Sequence, residues 1–207
     1  MTEYFPSNRQ LKKLWEVAEI ITWTTPSKGR SDFWWWDVPF VKPPNLWQVD
    51  PIFQTEECLT NIGLSKAKQI PTNAIMVCCI WSLGKVWIAW RELCTNQQIN
   101  SVVFDSSQVF FRYGYYFCTT LEEKMKKIAN QAVVQIINKS QFSQIQIPLP
   151  PLEEQKKIVA YLDELNATIS KLKSEYQSQL AMLDEMRNSS IDLAFWGSRE
   201  REREHTT

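Results

Sequence analysis

The hydrophobic pattern of the chain changes once, near residue 148. Upstream of that point, short runs of Val, Ile and aromatic residues alternate with turn-forming residues, which predicts several strands. The predicted strands are Ala74–Ile80, Val86–Ala89, Ser101–Phe104, Val109–Phe111, Val133–Ile137 and Ile145–Leu149. Thr120–Asn130 instead carries its apolar residues on one helical face. We therefore predict a mixed, strand-rich α/β (α+β) domain over residues 1–147.

A long helix is predicted to follow. Pro148, Pro150 and Pro151 end the last strand because proline lacks a backbone N–H, and Glu153 and Glu154 suit the positive end of a helix dipole. Beyond them, nine of eleven positions spaced by alternating fours and threes are apolar or aromatic. Those eleven positions are Ile158, Leu162, Leu165, Ile169, Leu172, Tyr176, Gln179, Leu183, Met186, Ser190 and Leu193. We expect a coiled-coil arm over residues 148–197, about 65 Å long. The alternative is an amphipathic helix that folds back onto its own domain. Residues 198–207 are expected to form a charged, disordered tail.

The segment that joins the two parts has a distinctive sequence. Ile145–Leu165 is IQIPLPPLEEQKKIVAYLDEL, and the predicted helix ends in LAFWG at Leu193–Gly197. Both motifs resemble the specificity subunit of type I restriction-modification systems, in which a target recognition domain precedes such a helix. The resemblance extends upstream through Leu11–Thr25, Phe33–Leu46, Ile80–Asn100 and Ile136–Phe142. Full-length specificity subunits carry two recognition domains and two arms, and this chain carries one of each.

The resemblance implies a half-size DNA-recognition subunit without catalytic residues. Methyltransferase (modification) subunits would methylate adenine from S-adenosylmethionine, and a restriction (translocase and nuclease) subunit would cut unmodified double-stranded DNA. Two copies, or this chain and another half-subunit, would pair their arms and read a bipartite site. The residues expected at that helix interface are Ile158, Leu162, Leu165, Ile169, Leu172, Tyr176 and Leu183. A truncated or silent recognition cassette, and a DNA-binding adaptor or decoy without enzyme partners, are the alternatives.

The composition contains an anomaly. The chain has ten Trp and only five Gly, whereas glycine averages about 7% of residues in proteins. The family motifs have glycine where this sequence has Trp15, Trp23, Trp35, Trp36, Trp81 and Trp90. One hypothesis is that UGA codons meaning glycine in the source organism were translated as tryptophan. The alternative is a surface of tryptophans on which bases stack.

Candidate DNA contacts lie upstream of the arm. Residues 1–147 hold 15 Lys and Arg against 12 Asp and Glu, a weak positive balance. Lys42, Lys85, Arg91 and Lys139 lie in predicted loops and are candidates for phosphate contacts. The amides of Asn96, Gln97 and Gln98 could pair with adenine. Because the block matches a family motif, it could instead support the fold or contact phosphate. From the resemblance, we expect the residues that read the sequence in Asp50–Lys68 or Asp105–Lys127.

Several classes of chemistry lack the necessary residues. The single His, His205, lies in the charged tail, and no glycine-rich nucleotide loop is present. We therefore expect no catalytic residues, no metal site and no bound cofactor. The five cysteines lack CxxC spacing and lie in apolar contexts, which predicts reduced, mostly buried thiols. No apolar run approaches the roughly 18 residues of a membrane span, and we expect a cytoplasmic protein.

Overall fold

The computed structural model describes residues 9–47, 52, 54–129 and 135–197. The strands are β1 Gln10–Lys13, β2 Ala18–Ile21, β3 Trp34–Val41, β4 Cys58–Leu59, β5 Gln69–Ile70, β6 Ile75–Cys78, β7 Val86–Ile88, β8 Leu93–Thr95, β9 Ile99–Phe104 and β10 Gln146–Leu149. The helices are α1 Leu14–Val17, α2 Asn61–Leu64, α3 Phe111–Thr119, α4 Glu122–Ala129, α5 Lys139–Ser143 and α6 Leu152–Trp196. The chain divides into two units, Met1–Val159 and Ala160–Thr207.

The described strands of the first unit form three sheets. One has the strand order β2-β9-β6-β7 with antiparallel pairing throughout. The second has the order β4-β3-β8-β5, in which β3 and β8 run parallel and the outer pairs are antiparallel. The third pairs β1 with β10, so that residues near both ends of the unit lie side by side. This mixed architecture confirms the predicted fold class.

Strand β6 lies at the centre of the unit and is buried on both faces. Ile75 and Val77 belong to a core that also contains Tyr113 of α3 and Met125 of α4. Met76 and the other alternate residues of β6 belong to a second core, together with residues of β3 and β8. Since successive strand residues point to opposite faces, a continuous apolar run suits a strand covered on both sides. The predicted strand at 74–80 is thereby confirmed, although it ends at Cys78.

Two sequence predictions differ from the structure or fall partly outside it. Val109–Phe111 was predicted as a strand, which is wrong, because Phe111 is the first residue of helix α3. The Val109 N–H donates to the Asp105 carbonyl, and the Phe110 N–H donates to the Gln155 side chain. An apolar run of three residues does not distinguish a strand from the start of a helix. The two hydrogen-bond acceptors of Val109 and Phe110 could not be predicted from the sequence. Of Val133–Ile137, residues 133 and 134 lie outside the described part.

The start of α6 is fixed by one buried side chain. Gln155, in the first turn, is fully buried. Its Nε2 donates to the carbonyls of Gln108 and Pro150, each at 2.9 Å, and its Oε1 accepts from the Phe110 N–H at 2.8 Å. The helix runs without interruption from Leu152 to Trp196, 45 residues in all. All three contacts lie within the first unit, so the first turn of the helix is part of that unit's packing.

Five of the six tryptophans that stand where the family resemblance leads us to expect glycine lie at the surface. Trp15, Trp23, Trp35, Trp81 and Trp90 are all exposed, and the side chain of Trp36 lies outside the described part. Trp81 also has a positive φ of 59°. That backbone conformation favours glycine and is unusual for a bulky residue. The coding hypothesis remains a prediction, and Trp81 offers the sharpest place to test it.

Candidate functional site

The amide side chains proposed as base readers lie in the loop between β8 and β9, and they mostly bond to the protein itself. Asn96 is buried; its Nδ2 donates to Gln98 Oε1 at 2.8 Å and its Oδ1 accepts from the Gln98 N–H at 3.0 Å. Gln97 is exposed, but its Oε1 accepts from the Thr25 hydroxyl at 2.9 Å and the Thr25 N–H at 3.2 Å. These bonds shape the loop and attach the segment around Thr25 to it.

Backbone hydrogen bonds gather three further segments beside this loop. The Asn96 N–H donates to the Val41 carbonyl at 3.2 Å, which places Lys42 next to the loop. The Cys79 N–H donates to the Gln98 carbonyl at 2.8 Å, and the Ile137 N–H donates to the Cys79 carbonyl at 2.9 Å. One edge of the unit therefore collects four separate segments. Two further candidates, Lys85 and Lys139, adjoin them.

Lys85 and Lys139 occupy defined positions next to this edge. The Lys85 carbonyl accepts from the Cys78 N–H at 2.8 Å, in the turn that leads into β7. Gly84 makes the turn possible, since its φ is +78° and an added Cβ would lie 2.6 Å from the Glu122 backbone. Lys139 is the first residue of α5, whose N-cap, Asn138, accepts from the Gln141 N–H at 2.8 Å. Both lysines are exposed.

Arg91 lies at the opposite end of the same strands. Strand β7 leads away from Lys85, and at its far end the Ala89 carbonyl accepts from the Asn73 N–H at 2.7 Å. Arg91 follows in the turn before β8, which then returns to Asn96. A three-residue strand is about 10 Å long. The structure thus brings Lys42, Lys85, Lys139 and the amide loop to one edge and separates Arg91 from them.

A charged cluster that the sequence predictions missed adjoins Lys42. Glu57 precedes β4, and its Oε1 accepts from Lys28 Nζ at 2.9 Å and from Lys42 Nζ at 2.7 Å. Burial by itself would raise the pKa of Glu57, but the hydrogen bonds from Lys42 and Lys28 outweigh it and hold the pKa below its ordinary value. The second oxygen, Oε2, is buried and has no hydrogen-bond partner among the described residues.

Glu57 lines a cleft of about 480 Å³. Trp34 forms part of the wall; its indole N–H donates to the Ser27 carbonyl at 3.1 Å, and its ring meets Phe40 edge-on. The Phe40 N–H donates to the Glu57 carbonyl at 3.0 Å, which ties the loop before β4 to strand β3. Lys28 and Lys42 lie 29 and 15 positions before Glu57 in the sequence. The only sequence signal for Glu57 was its place in the predicted reading segment, Asp50–Lys68.

The helix α6 presents the predicted apolar stripe. Ile158 packs against the first core and Leu162 is half-buried. From Leu165 onward the stripe is exposed, with Leu172 at 46% and Tyr176 at 63% exposure. The remaining predicted residues Ile169 and Leu183 are exposed as well, and so are Leu180 and Met182, which the spacing did not select. The second unit therefore carries a wide apolar face with no cover in the described chain.

The side chains that commonly bind metal ions are dispersed among the described residues. No group of three or more His, Cys, Asp or Glu side chains among them could hold a metal ion. All five cysteines are free and buried, as predicted. Burial raises the pKa of the Cys79 thiol to about 12, and its sulfur accepts a hydrogen bond from Asn100 at 3.1 Å. No helix in the described part is both long and apolar enough to cross a membrane.

Comparison with known proteins identifies the family. The family model for the type I restriction modification DNA specificity domain matches residues 6–181. The chain is 33% identical over 167 residues to the type I restriction enzyme HindI specificity subunit of Haemophilus influenzae. It is 27% identical over 168 residues to the MjaIX specificity subunit of Methanocaldococcus jannaschii. Each match covers 77% of this chain, but only 36% and 39% of the relatives.

A solved structure shares the fold. The crystal structure of the HsdS subunit from Thermoanaerobacter tengcongensis matches with a TM-score of 0.69 at 23% identity, over 93% of this chain and 46% of that one. The chain thus spans less than half the length of each of these three proteins. Because the specificity-domain match covers most of its length, the chain belongs to the family of type I restriction-modification DNA specificity domains.

Proposed function

We propose that this chain is a sequence-specific DNA-binding specificity subunit that directs adenine methylation and restriction by partner subunits in the cytoplasm. Residues 1–147 act as the recognition domain, 148–197 as the arm and 198–207 as a charged tail. The observation that carries the proposal is the specificity-domain match over residues 6–181, which includes both the strand-rich unit and most of the arm. The chain supplies the DNA sequence preference, and the methyltransferase and restriction subunits supply the chemistry.

DNA would bind along the edge that gathers the four segments. Lys85 and Lys139 are exposed there and can contact phosphates, while Lys42 sits between that edge and the cleft at Glu57. Gln97 is the most accessible of the three amides, so it is the strongest candidate among them for a base contact. Because the hydrogen bonds of Asn96 are internal, its role is to hold the loop in shape. Because Arg91 lies at the other end of the strands, it would contact DNA only at a place away from this edge.

The arm would pair with a second arm. Its exposed stripe continues past Leu165 to Met186 and Leu193, and covering apolar surface stabilises an interface by about 25 cal/mol per Å². A second copy, running antiparallel, places each apolar position beside another because the four-three spacing is the same in both directions. Two recognition domains joined in this way would read two half-sites, as a bipartite target requires.

The decisive experiment is single-molecule sequencing of methylated adenines. Cells that express this chain with its methyltransferase subunit should show one bipartite methylated motif. The motif should disappear when this gene alone is deleted and return when it is restored. Methylation that persists unchanged without the gene would contradict the proposal.

A further inference from the structure

Arg30 carries a guanidinium that is exposed and yet held in one orientation. Its side chain is 60% exposed. Its Nε donates to Asp32 Oδ1 at 2.8 Å and its Nη2 donates to Asp32 Oδ2 at 2.7 Å, so the carboxylate pairs side-on with the group. The guanidinium carbon also lies 4.7 Å from the centre of the Phe33 ring. Two different contacts therefore fix a side chain that is ordinarily among the most flexible at a protein surface.

The residues that hold this guanidinium are fixed by hydrogen bonds to Thr60. Asp32 and Phe33 lie in a single 3-10 turn, Ser31–Phe33. The Thr60 hydroxyl donates to the Asp32 carbonyl at 2.7 Å, and the Thr60 N–H donates to the Phe33 carbonyl at 3.0 Å. Thr60 is also the N-cap of α2, and the Phe33 side chain is buried. The carboxylate and the ring that hold the guanidinium are thus anchored in the body of the domain.

The segment that carries Arg30 is attached at two places to the edge proposed to bind DNA. Five residues earlier in the sequence, Thr25 donates twice to the amide loop, once from its hydroxyl and once from its N–H. Two residues earlier, Lys28 shares the carboxylate of Glu57 with Lys42, which adjoins the same edge. DNA that lies along this edge would therefore pass near Arg30.

The free side of the guanidinium matches one base. Because Asp32 accepts from Nε and from one hydrogen of Nη2, the other Nη2 hydrogen and both Nη1 hydrogens have no hydrogen-bond partner among the described residues. One N–H of each terminal nitrogen forms a pair of adjacent donors on that side. Guanine presents two acceptors, O6 and N7, in the major groove. Adenine and cytosine each present an amino donor there, and thymine presents a single acceptor beside its methyl group.

A phosphate is a less suitable partner for this side chain. The hydrogen bond from Arg30 holds the pKa of Asp32 below its ordinary value, so the carboxylate is ionised at neutral pH and the pair has no net charge. An ionised carboxylate beside the guanidinium would repel a phosphate, whereas the edge of a base carries no net charge. The pair is therefore suited to directed hydrogen bonds and poorly suited to charge neutralisation.

Resting on the proposed function, we propose that Arg30 is a specificity-determining residue that reads a guanine of the half-site, with its two terminal nitrogens donating to O6 and N7. Asp32 is the positioning residue, because its side-on pair leaves the other side of the guanidinium open to the base. Since the guanidinium is already held in the free protein, little side-chain freedom is lost on binding. A bidentate contact of this kind favours the correct base by about tenfold to a hundredfold.

The first test changes the DNA and leaves the protein intact. The wild-type complex is bound to duplexes in which each guanine of the half-site is replaced, one at a time, by 7-deazaguanine, which has no N7 acceptor. Affinity should fall about tenfold at one position. Deoxyinosine at that position is the matched control, because it keeps O6 and N7 and lacks only the minor-groove amino group, so its duplex should bind like the native one.

The same duplexes assign the contact to Arg30. The Arg30→Gln variant should bind the guanine and 7-deazaguanine duplexes equally well at the position that responds in the wild type. If no guanine position responds to the loss of N7, or if the response persists in Arg30→Gln, the assignment is wrong.

The second test compares methylated motifs in cells that express the chain with its methyltransferase subunit. Arg30→Gln should leave methylation active but remove the preference for guanine at one position of the half-site. Arg187→Gln is the matched control, since Arg187 forms an exposed ion pair with Asp184 at 3.1 Å on α6 and loses the same charge; its motif should not change. An unchanged motif for Arg30→Gln, with methylation merely weaker at every site, would indicate a phosphate contact and overturn the assignment.

The positioning role of Asp32 has its own measurement. Asp32→Asn keeps the shape of the side chain but replaces one acceptor by a donor, so the side-on pair with Arg30 is lost. The difference in affinity between the guanine and 7-deazaguanine duplexes should shrink severalfold, while affinity for the 7-deazaguanine duplex stays near that of the wild type. Full discrimination between the two duplexes in Asp32→Asn would contradict the positioning role.

Failure of the proposed function and failure of the base contact give different results. A wild-type chain that directs no methylation would remove the proposed function, and the role of Arg30 with it. A wild-type chain that directs methylation with a motif insensitive to Arg30 and to the guanine N7 atoms would remove only the role of Arg30.

Discussion

Trp81 combines a left-handed backbone with a largely exposed indole, in the segment between β6 and β7. Its φ is +59°, and 70% of the residue is exposed. For an L-residue with a bulky side chain, that conformation costs roughly 1–2 kcal/mol. The indole recovers little by burial. Glycine would adopt the same backbone without the steric cost, which agrees with the glycine expected at this place from the family resemblance.

We expect Trp81→Gly to raise the free energy of unfolding by about 1 kcal/mol, after allowing for the extra freedom of glycine in the unfolded chain. Urea denaturation of the full chain measures this change. Trp87→Gly is the contrasting control, because Trp87 lies in β7 and packs against the second core, so its removal should destabilise the protein. A Trp81→Gly variant less stable than the wild type would contradict the argument.

The coding hypothesis has its own measurement. UGA codons at Trp15, Trp23, Trp35, Trp36, Trp81 and Trp90 would support it, and protein purified from the source organism should then have the mass of a chain with glycine at all six positions. UGG codons at these positions would refute the hypothesis and leave the exposed tryptophans as native surface residues.

The helix α6 is held differently at its start and along its length. In its first turn, Gln155 satisfies two carbonyls and one N–H that belong to residues before the helix. Beyond Leu165, the apolar stripe is exposed and contributes no packing in the described chain. The beginning of the helix therefore contributes to folding stability, and the remainder is suited to association.

For the helix start, Gln155→Leu should lower the free energy of unfolding by about 2–4 kcal/mol. Leucine fits the volume but leaves buried backbone groups without partners, each costing roughly 1–3 kcal/mol. Gln146→Leu is the matched control, since Gln146 is exposed and its replacement should change stability by no more than about 0.5 kcal/mol. Equal effects of the two substitutions in a denaturation experiment would show that the buried contacts do not matter.

For the arm, Leu165→Asp combined with Leu172→Asp should abolish dimerisation, because two charges would be buried in an apolar interface. Sedimentation measures the dimer, and methylation in cells reports recruitment of the partners. Ser170→Asp with Ser174→Asp adds the same charges at exposed positions outside the stripe, and this variant should dimerise normally. A dimeric, methylation-competent Leu165/Leu172 variant would refute the role of the arm.

For the assembled molecule, pairing of identical chains imposes symmetry on the DNA target. A two-fold axis relates the recognition domains, so each reads the same half-site on opposite strands. The methylated motif should therefore be an inverted repeat with a fixed spacer. Methylome sequencing of a strain in which this is the sole specificity gene tests the expectation. An asymmetric motif would indicate pairing with a different half-subunit instead of a second copy.

Much of the architecture was accessible from local pattern. The prolines at 148–151 and the regular four-three spacing predicted α6, which indeed spans Leu152–Trp196. The apolar run at β6 predicted a buried strand, and the Thr120–Asn130 pattern predicted α4, which spans Glu122–Ala129. These predictions succeeded because periodicity over many residues is a property of neighbours in sequence. The strand predicted at Val109–Phe111 was wrong because three residues are too few to show a hydrophobic period.

The sequence alone established a strand-rich domain, a long helix with a continuous apolar stripe and the family motif at their junction. Only the tertiary structure decided that Asn96 is buried in internal hydrogen bonds, that Arg91 lies away from the other candidates, and that Glu57 meets Lys28 and Lys42. The physical reason is distance along the chain. Helices and apolar stripes depend on residues three or four apart, whereas a charged cluster assembled from three separate segments depends on strand pairing that no local pattern specifies.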